Sequence, residues 1–585
     1  MTISQELFDE TVLENEEVFE LSQDEALLET ISQFRQQNVP IEKAGIIISS
    51  HPCTEKGKRE RSYQSKLLSN LTFLDSIVNE DGSIQDYKDE YKVWKILNEI
   101  QKYLTGRVST DMQHDLDSDD KKTRIIFKDI SLNTLLRSDG IFTLLSFLSS
   151  PSSSILHESA ACILTVLEFS SSSQEELTRT EKNDMETKIR QIKRLLTPVL
   201  PRLMNLIKVH SESDPIFIKL AIQANKGCQQ NKVGLVKAGK ALPILLDIIT
   251  INITTKTKCK DFVGLSTHIC HLLSSLCQYD DVTEMASTAH EYAQELFRHD
   301  AVNILQQLTH SVSNDSFGCH SQSNECLLKL KCAIMSAQRA LAVNDEIVQS
   351  LVAEGTLETC NETLSQCLNS MTTNSTNTRE DIYSLTVSTI LGLFRNLCGN
   401  DDIKSTICQE SLSYILLAMS KFINHAKIQE HGLATLAAMS LRRVSNANLL
   451  LQNDAIATLL RSLQKFGENE KVQRAGCLCI RNVIARQPSS IKQLIREDYP
   501  QIENVLKHAG KFRGCVDEAY AALRDLEISS ELMRVEEVNF IENGSAQKKI
   551  VVKRHGVEMF GENKLNFRQA YEESNNLDER IDNLF

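Results

Sequence analysis

The sequence predicts an all-α fold, a right-handed helical solenoid with an N-terminal helical extension. Three observations predict it. Gly is 21 and Pro is 9 of 585 residues, well below average usage, which suits helices and excludes a β-sandwich, a propeller or a collagen-like chain. Hydrophobic residues make up 41%, too many for a mostly disordered chain. One short junction pattern recurs along the chain, and recurrence at a fixed spacing marks a repeat array.

In that pattern, two apolar residues lie four and three positions before a small or acidic landmark, and a helical spacing of apolar residues follows. The clearest copy is LVKAGKALPIL (235–245), with Gly239 as landmark. Others carry Asp139, Asp300, Gly355, Ser411, Asp454 and Asp498. From Gly239 onward the landmarks are 61, 55, 56, 43 and 44 residues apart. A period of about 40–47 residues is that of armadillo and HEAT repeats. The interval of 100 from Asp139 to Gly239 leaves room for one degenerate copy. The longer intervals carry Ser/Thr/Asn-rich stretches such as 310–325 and 369–381, which read as loops. Each landmark reads as a helix junction. Gly takes the left-handed conformation that closes a helix, and Asp or Ser caps the next one. No single unit can bury its apolar stripe alone, so neighbours must stack.

The elements follow in order. Residues 1–40 read as two acidic amphipathic helices, with Leu7, Val12, Phe19, Leu27, Leu28, Ile31 and Phe34 on their apolar faces. Ser22 with Glu25 three positions later fits a capping box for the second helix. Residues 41–65 read as a linker that includes the basic run EKGKRER (55–61). Such a run suits a nuclear localisation signal or a phosphate-binding patch, although a solvated linker is the commoner setting. Residues 66–105 are helical, 106–122 form a polar, Asp-rich loop, and the repeat array spans 123–530, ending in the helix DEAYAALRDL (517–526). The segment 531–585 is charged and poorly periodic, the pattern of a flexible tail.

Lys plus Arg is 64 and Asp plus Glu is 78, for a formal charge of −14. That balance argues against broad binding to nucleic acid or anionic membranes, and leaves room for a local basic stripe. The opening MTISQELFDE has no basic region followed by an apolar core, so no secretory signal is expected. No apolar run approaches a membrane span. The 16 Cys are therefore expected as reduced thiols in a cytosolic or nuclear protein.

Specific segments carry a closer resemblance. SQELFDETVLENEEVFELSQDEALLETISQF (4–34), QQNKVGLVKAGKALPILLDII (229–249), GNDDIKSTI (399–407), CLCIRNVIARQ (477–487) and EAYAALRDL (518–526) resemble the family of armadillo repeat-containing protein six. The N-terminal block and the AALRDL ending are its specific parts. The resemblance implies an armadillo solenoid and a non-enzymatic interaction protein, with no cofactor and no defined activity. The long polar loops, residues 41–135 and the tail from 531 depart from the family pattern and inherit nothing from it.

In an armadillo array the third helix of each unit lines a concave groove. Residues just upstream of the landmarks belong to that helix. There the sequence places Gln338 and Arg339, Arg395 and Asn396, Arg442 and Arg443, and Arg481 and Asn482. An Asn amide can hold an extended peptide backbone through its donor and acceptor. Arg can fork onto carboxylate or phosphate. The commoner alternative is an ordinary solvated helix face. Nuclear-import adaptors hold basic signals with a Trp–Asn ladder, and the one Trp here, Trp94, lies outside the array. The expected partners are therefore proteins with acidic or phosphorylated segments, with no nucleic acid, membrane or metal. The alternative function is a nucleic-acid-binding or transport-adaptor solenoid.

Other candidates are weaker. Cys477-Leu-Cys479 lacks a second pair, so it is no zinc signature. His268, Cys270 and His271 do not converge on one helix face. Asp280-Asp281 and Asp401-Asp402 are read as helix-capping loop residues, and His290-Glu291 as loop residues without a nucleophile. No phosphate-loop, dinucleotide, nucleophile-elbow or HExxH motif occurs.

Overall fold

The structure is a computed structural model that describes residues 5–19, 21–37, 55–78, 90–105, 131, 133–136, 140–168, 179–210, 215–254, 262–281, 287–313, 324–370, 377–528, 533–542 and 545–554. The chain divides into two compact units, Met1–Leu341 and Ala342–Phe585.

The first unit opens with α1 (Gln5–Phe19) and α2 (Gln23–Gln36), packed against each other. Phe8, Val12, Ala26, Leu27 and Phe34 form their core, with Ile31 packed beside it. The Phe8 and Phe34 rings stack at 5.8 Å. Val12, Leu27, Ile31 and Phe34 sit where the sequence pattern put them. Leu7, Phe19 and Leu28 do not: they are 49%, 60% and 66% exposed. Phe8, Val12 and the buried Asn15 follow the i, i+4, i+7 spacing of one face, which turns Leu7 outward. The Asn15 amide donates to the Thr30 hydroxyl at 2.8 Å, which satisfies a polar pair inside this small core. At the predicted cap, the Glu25 carboxylate accepts the Ser22 N–H at 3.1 Å and its hydroxyl at 2.6 Å.

Helix α3 (Glu55–Asp75) begins inside the stretch read as a linker, so EKGKRER lies on helical backbone. Then come α4 (Glu90–Thr105), α5 (Gly140–Ser146), α6 (Ser153–Leu167), α7 (Arg179–Leu196), α8 (Leu200–His210) and α9 (Ile216–Asn225). Next are α10 (Gln229–Val233), α11 (Ala241–Thr254), α12 (Phe262–Leu276), α13 (Ala289–Arg298), α14 (Ala301–Ser313) and α15 (Asn324–Leu341). Helices α4, α6, α9, α12 and α15 each pack on the next. Stacking thus begins at α4, ahead of residue 123. The polar stretch 106–122 and landmark Asp139 lie outside the described residues.

The second unit holds α16 (Asp345–Ala353), α17 (Thr356–Ser370), α18 (Asn377–Leu397), α19 (Asp401–Lys421), α20 (Ala426–Ser440), α21 (Val444–Gln452) and α22 (Ala455–Lys465). It continues with α23 (Glu470–Ile484), α24 (Ser489–Asp498), α25 (Ile502–Ala509) and α26 (Val516–Asp525). Here α18, α20, α23 and α26 are the stacked third helices. Their inward stripes are apolar. Helix α23 buries Val472, Cys477, Cys479, Ile480, Val483 and Ile484, and full burial of a large aliphatic side chain contributes about 1.5–3 kcal/mol.

The described landmarks are junctions, with one exception. Asp300, Gly355 and Asp454 take left-handed φ values of 61°, 89° and 55°. At Gly239 the left-handed residue is its neighbour Lys240, φ 51°. Ser411 is no junction: α19 runs through it without a break and buries it. The CQESLSY stretch holds no Gly, Pro or Asn to stop a helix. At φ 89° Gly355 favours glycine, so Gly355→Ala is expected to cost about 1 kcal/mol. A fall in the urea midpoint at unchanged slope measures it.

Side-chain caps then set where helices begin. Asn344 accepts the Ile347 N–H at 2.9 Å, Asn400 the Ile403 N–H at 3.2 Å, and Asn469 the Val472 N–H at 3.3 Å. Asp401 and Asp402 occupy the first turn of α19, where a negative charge suits the helix dipole. Asp280 and Asp281 cap across repeats. They accept the Gly227 and Gln229 N–H groups, each at 2.9 Å, at the start of α10. Asp280 also pairs with Lys232, whose side chain is only 1% exposed.

The segment read as a flexible tail holds a two-stranded antiparallel hairpin, β1 (Met533–Glu542) with β2 (Ser545–Arg554). Its register runs from Met533 opposite Arg554 to Glu542 opposite Ser545. Val535, Val538, Ile541, Ile550, Val551 and Val552 supply the β-branched content that strands favour.

Candidate functional site

The face under consideration is the outward stripe of the third helices in the second unit. On α23 the side chains left open recur at helical spacing: Lys471, Arg474, Leu478 and Arg481. On α20 the same stripe carries Lys427, His431, Ala434 and Ala438, and on α18 it ends at Arg395 and Asn396.

Polar side chains tie each of these helices to its neighbour one repeat away. His431 Nδ1 lies 2.7 Å from the Ser388 carbonyl. Thr435 donates to the Leu391 carbonyl at 2.7 Å, and Asn482 to the Ala437 carbonyl at 3.0 Å. Arg474 Nε donates to Glu518 on α26 at 2.9 Å. The ties span 43, 44, 45 and 44 residues. They hold the stripe in register.

The eight residues singled out from the sequence separate into groups. Arg395 lies exposed on α18 and Arg481 half-buried on α23. Arg442 is exposed, but it sits beyond the end of α20 in a junction, at φ 59°. Arg443 stands at the N-cap position of α21 with no side-chain capping bond, and its guanidinium lies 3.4 Å from Asp402. Asn482 has its amide on Ala437, so its donor ties repeats together. Asn396 is half-buried on α18. Gln338 and Arg339 belong to α15 in the first unit, and Gln338 is 2% exposed, closed to any partner. A regular row of the four pairs is therefore not formed, since Gln338 is buried and Arg442 and Arg443 lie past the end of α20. The segment SLRRVSN fell out of line because α20 stops at Ser440, two residues short of its arginines.

Among the described residues, Arg395, Arg442 and Arg481 have no carboxylate within ion-pair distance. This holds in a chain where acids outnumber bases by 78 to 64. Local pairs elsewhere are close. Lys404 bonds Asp401 at 2.6 Å and holds its carboxyl below the usual range. The inter-repeat ties were not found from sequence, because their partners, three backbone carbonyls and the Glu518 carboxylate, lie a repeat away.

No metal-type cluster of three His, Cys, Asp or Glu occurs among the described residues. His268, Cys270 and His271 lie on α12, and burial lowers the His271 pKa. Cys477 and Cys479 are both buried, and burial pushes their thiols up. His290 and Glu291 stand on the first turn of α13, not in a loop. No helix of the described residues is long and apolar enough to cross a membrane. Twelve of the described cysteines are buried and Cys326 is exposed. Thiolate is the reactive form, so brief alkylation of the folded chain is expected to modify Cys326 and spare those twelve until urea is added. Mass spectrometry reads the result.

Residues 1–63 match the armadillo repeat-containing protein 6 N-terminal domain, and residues 325–497 match the armadillo repeat of the family described as LRRK2 ARM repeat. Armadillo repeat-containing protein 6 from Pongo abelii is 24% identical over 76% of this chain and 75% of its own length. The chain folds as an armadillo-type solenoid and is similar to armadillo repeat-containing protein 6. The human protein of that name is 24% identical over 38% of this chain and 40% of its own. Among solved structures, an engineered protein is 12% identical, covering 80% of this chain and 100% of its own, with a TM-score of 0.46. A designed armadillo repeat protein is 16% identical, covering 49% and 99%, with a TM-score of 0.36. The armadillo assignment agrees with the three-helix units seen here, such as α21, α22 and α23.

Proposed function

We propose that this armadillo-repeat protein is a non-enzymatic interaction scaffold that holds an extended acidic or phosphorylated segment on the third-helix face of its second unit. The observation that carries the reading is that Arg395 and Arg481 on the third helices, and Arg442 at the junction after α20, have no ion-pair partner among the described residues, in a chain of net charge −14. Arg presents a planar fork to carboxylate or phosphate oxygens. The inter-repeat ties keep that face rigid, which lowers the ordering cost of binding. The described thiols are free rather than bridged, in keeping with a cytosolic or nuclear setting.

The test is capture of a peptide library with acidic, phosphorylated, neutral and basic members on the immobilised full chain. The native chain is expected to retain the acidic and phosphorylated members. The triple charge reversal Arg395→Glu, Arg442→Glu and Arg481→Glu is expected to lose at least about 3 kcal/mol, more than about a hundredfold in affinity. Equal retention by the variant overturns the reading. Retention of nucleic acid at physiological salt in place of the peptides also overturns it.

A further inference from the structure

A cleft of about 330 Å³ opens in the first unit between α4, α6, α8 and α9. That volume sits at the small end for ligand sites, the size for one long side chain. Its walls include Trp94, His157, Glu158, His210 and Phe217. The aromatic groups are held in pairs. Trp94 packs on Tyr91 with ring centroids 5.8 Å apart, and Phe217 on His210 at 5.7 Å.

Glu158 is the anomaly. Its side chain is 12% exposed. Its Oε2 is closed to solvent and has no hydrogen-bond partner among the described residues. The near charge-capable group, His157 Nδ1, stands 3.9 Å from Oε1, beyond hydrogen-bond distance, and is itself 47% exposed. A desolvated carboxylate without a donor is costly, and a cation placed beside it relieves that cost. The indole is the best of the aromatic faces for a cation. A guanidinium suits both surfaces, since it donates to the carboxylate from the Oε1 side, offsets its charge, and stacks on aromatic rings.

We infer that this cleft takes an arginine side chain of a partner polypeptide, with Glu158 as its counter-charge and Trp94 as its aromatic wall. The site goes beyond the arginine face of the second unit and shares no residue with it.

Trp94 is the one Trp in the chain, so its emission reports this cleft directly. The full chain is titrated with three blocked pentapeptides that differ only at the central residue: arginine, its neutral isostere citrulline, or glutamate. The arginine peptide is expected to give a saturable change in the millimolar range, and citrulline one at least about tenfold weaker. Glu158→Gln is expected to bring arginine down to the citrulline level. The arginine–citrulline comparison on the native chain needs no variant, so it decides the matter even if Glu158→Gln does not fold. Equal responses to arginine and citrulline overturn the inference, as does no response at millimolar peptide. A stronger response to glutamate overturns it as well and makes the cleft an anion site. The triple arginine reversal in the second unit is expected to leave the arginine response intact, which separates this result from failure of the proposed scaffold face.

Discussion

Asp280→Ala is expected to destabilise the first unit by about 3 kcal/mol, because removing one partner of a buried pair leaves the other charge uncompensated. The charge at risk is that of Lys232, 1% exposed, while Asp280 is 27% exposed. The lysine also donates to the Gln278 carbonyl, a partner that cannot neutralise it. A second loss comes with the first: the Gly227 N–H loses its acceptor at the start of α10. Lys232→Met is expected to cost less than half as much. It removes the buried charge and fills the space with a chain of similar volume, and Asp280 keeps Gly227 and some contact with water. The order of the two variants is the diagnostic point. Urea unfolding followed through Trp94 emission, which belongs to the first unit, checks it. Equal losses in the two variants would mean that the charge pair itself carries the energy, with nothing added by the stranded Lys232 charge or by the cap to Gly227.

Gln473→Leu is expected to destabilise the second unit by about 2–3 kcal/mol. The Gln473 amide donates to the Leu463 carbonyl at 2.7 Å and the Phe466 carbonyl at 2.9 Å. These lie at the end of α22, where an α-helix leaves its last carbonyls unsatisfied. One side chain from α23 supplies both donors. Leucine is close in shape, so the cost lies in the stranded carbonyls and not in a cavity. Gln429 repeats the device one repeat earlier, on the Met419 and Phe422 carbonyls at 2.8 and 3.0 Å. It also accepts the Ser462 hydroxyl at 2.6 Å. Gln429→Leu is thus expected to match or exceed Gln473→Leu. Hydrogen exchange over α22 and α23 reads the effect as faster exchange in that segment.

Much of the fold was legible because its signals are local. The landmark pattern rests on residues within a dozen positions of each other, and Asp300, Gly355 and Asp454 bend the backbone as that pattern requires. The capping box at Ser22 is equally local. What escaped was decided at a distance. Nothing adjacent to Lys232 announces a partner 48 residues away. Nothing around Asn482 shows that its amide closes on Ala437 and not on a ligand. The candidate face suffered the same way. Its arginines were visible as residue types, but whether each stands open depends on where α20 ends and on carboxylates from other helices. Ser411 shows the reverse error, in which a local resemblance to a junction lost to a stretch with nothing to stop a helix.

The ties among the third helices reach one repeat and no further. His431, Thr435, Asn482 and Arg474 each find a partner 43 to 45 residues away. In such a nearest-neighbour lattice, the chemistry of a joint is indifferent to the number of units on either side. A unit could be duplicated or deleted by recombination, and every surviving joint would still meet its complement. The length of this protein is therefore open to evolutionary drift in whole-repeat steps.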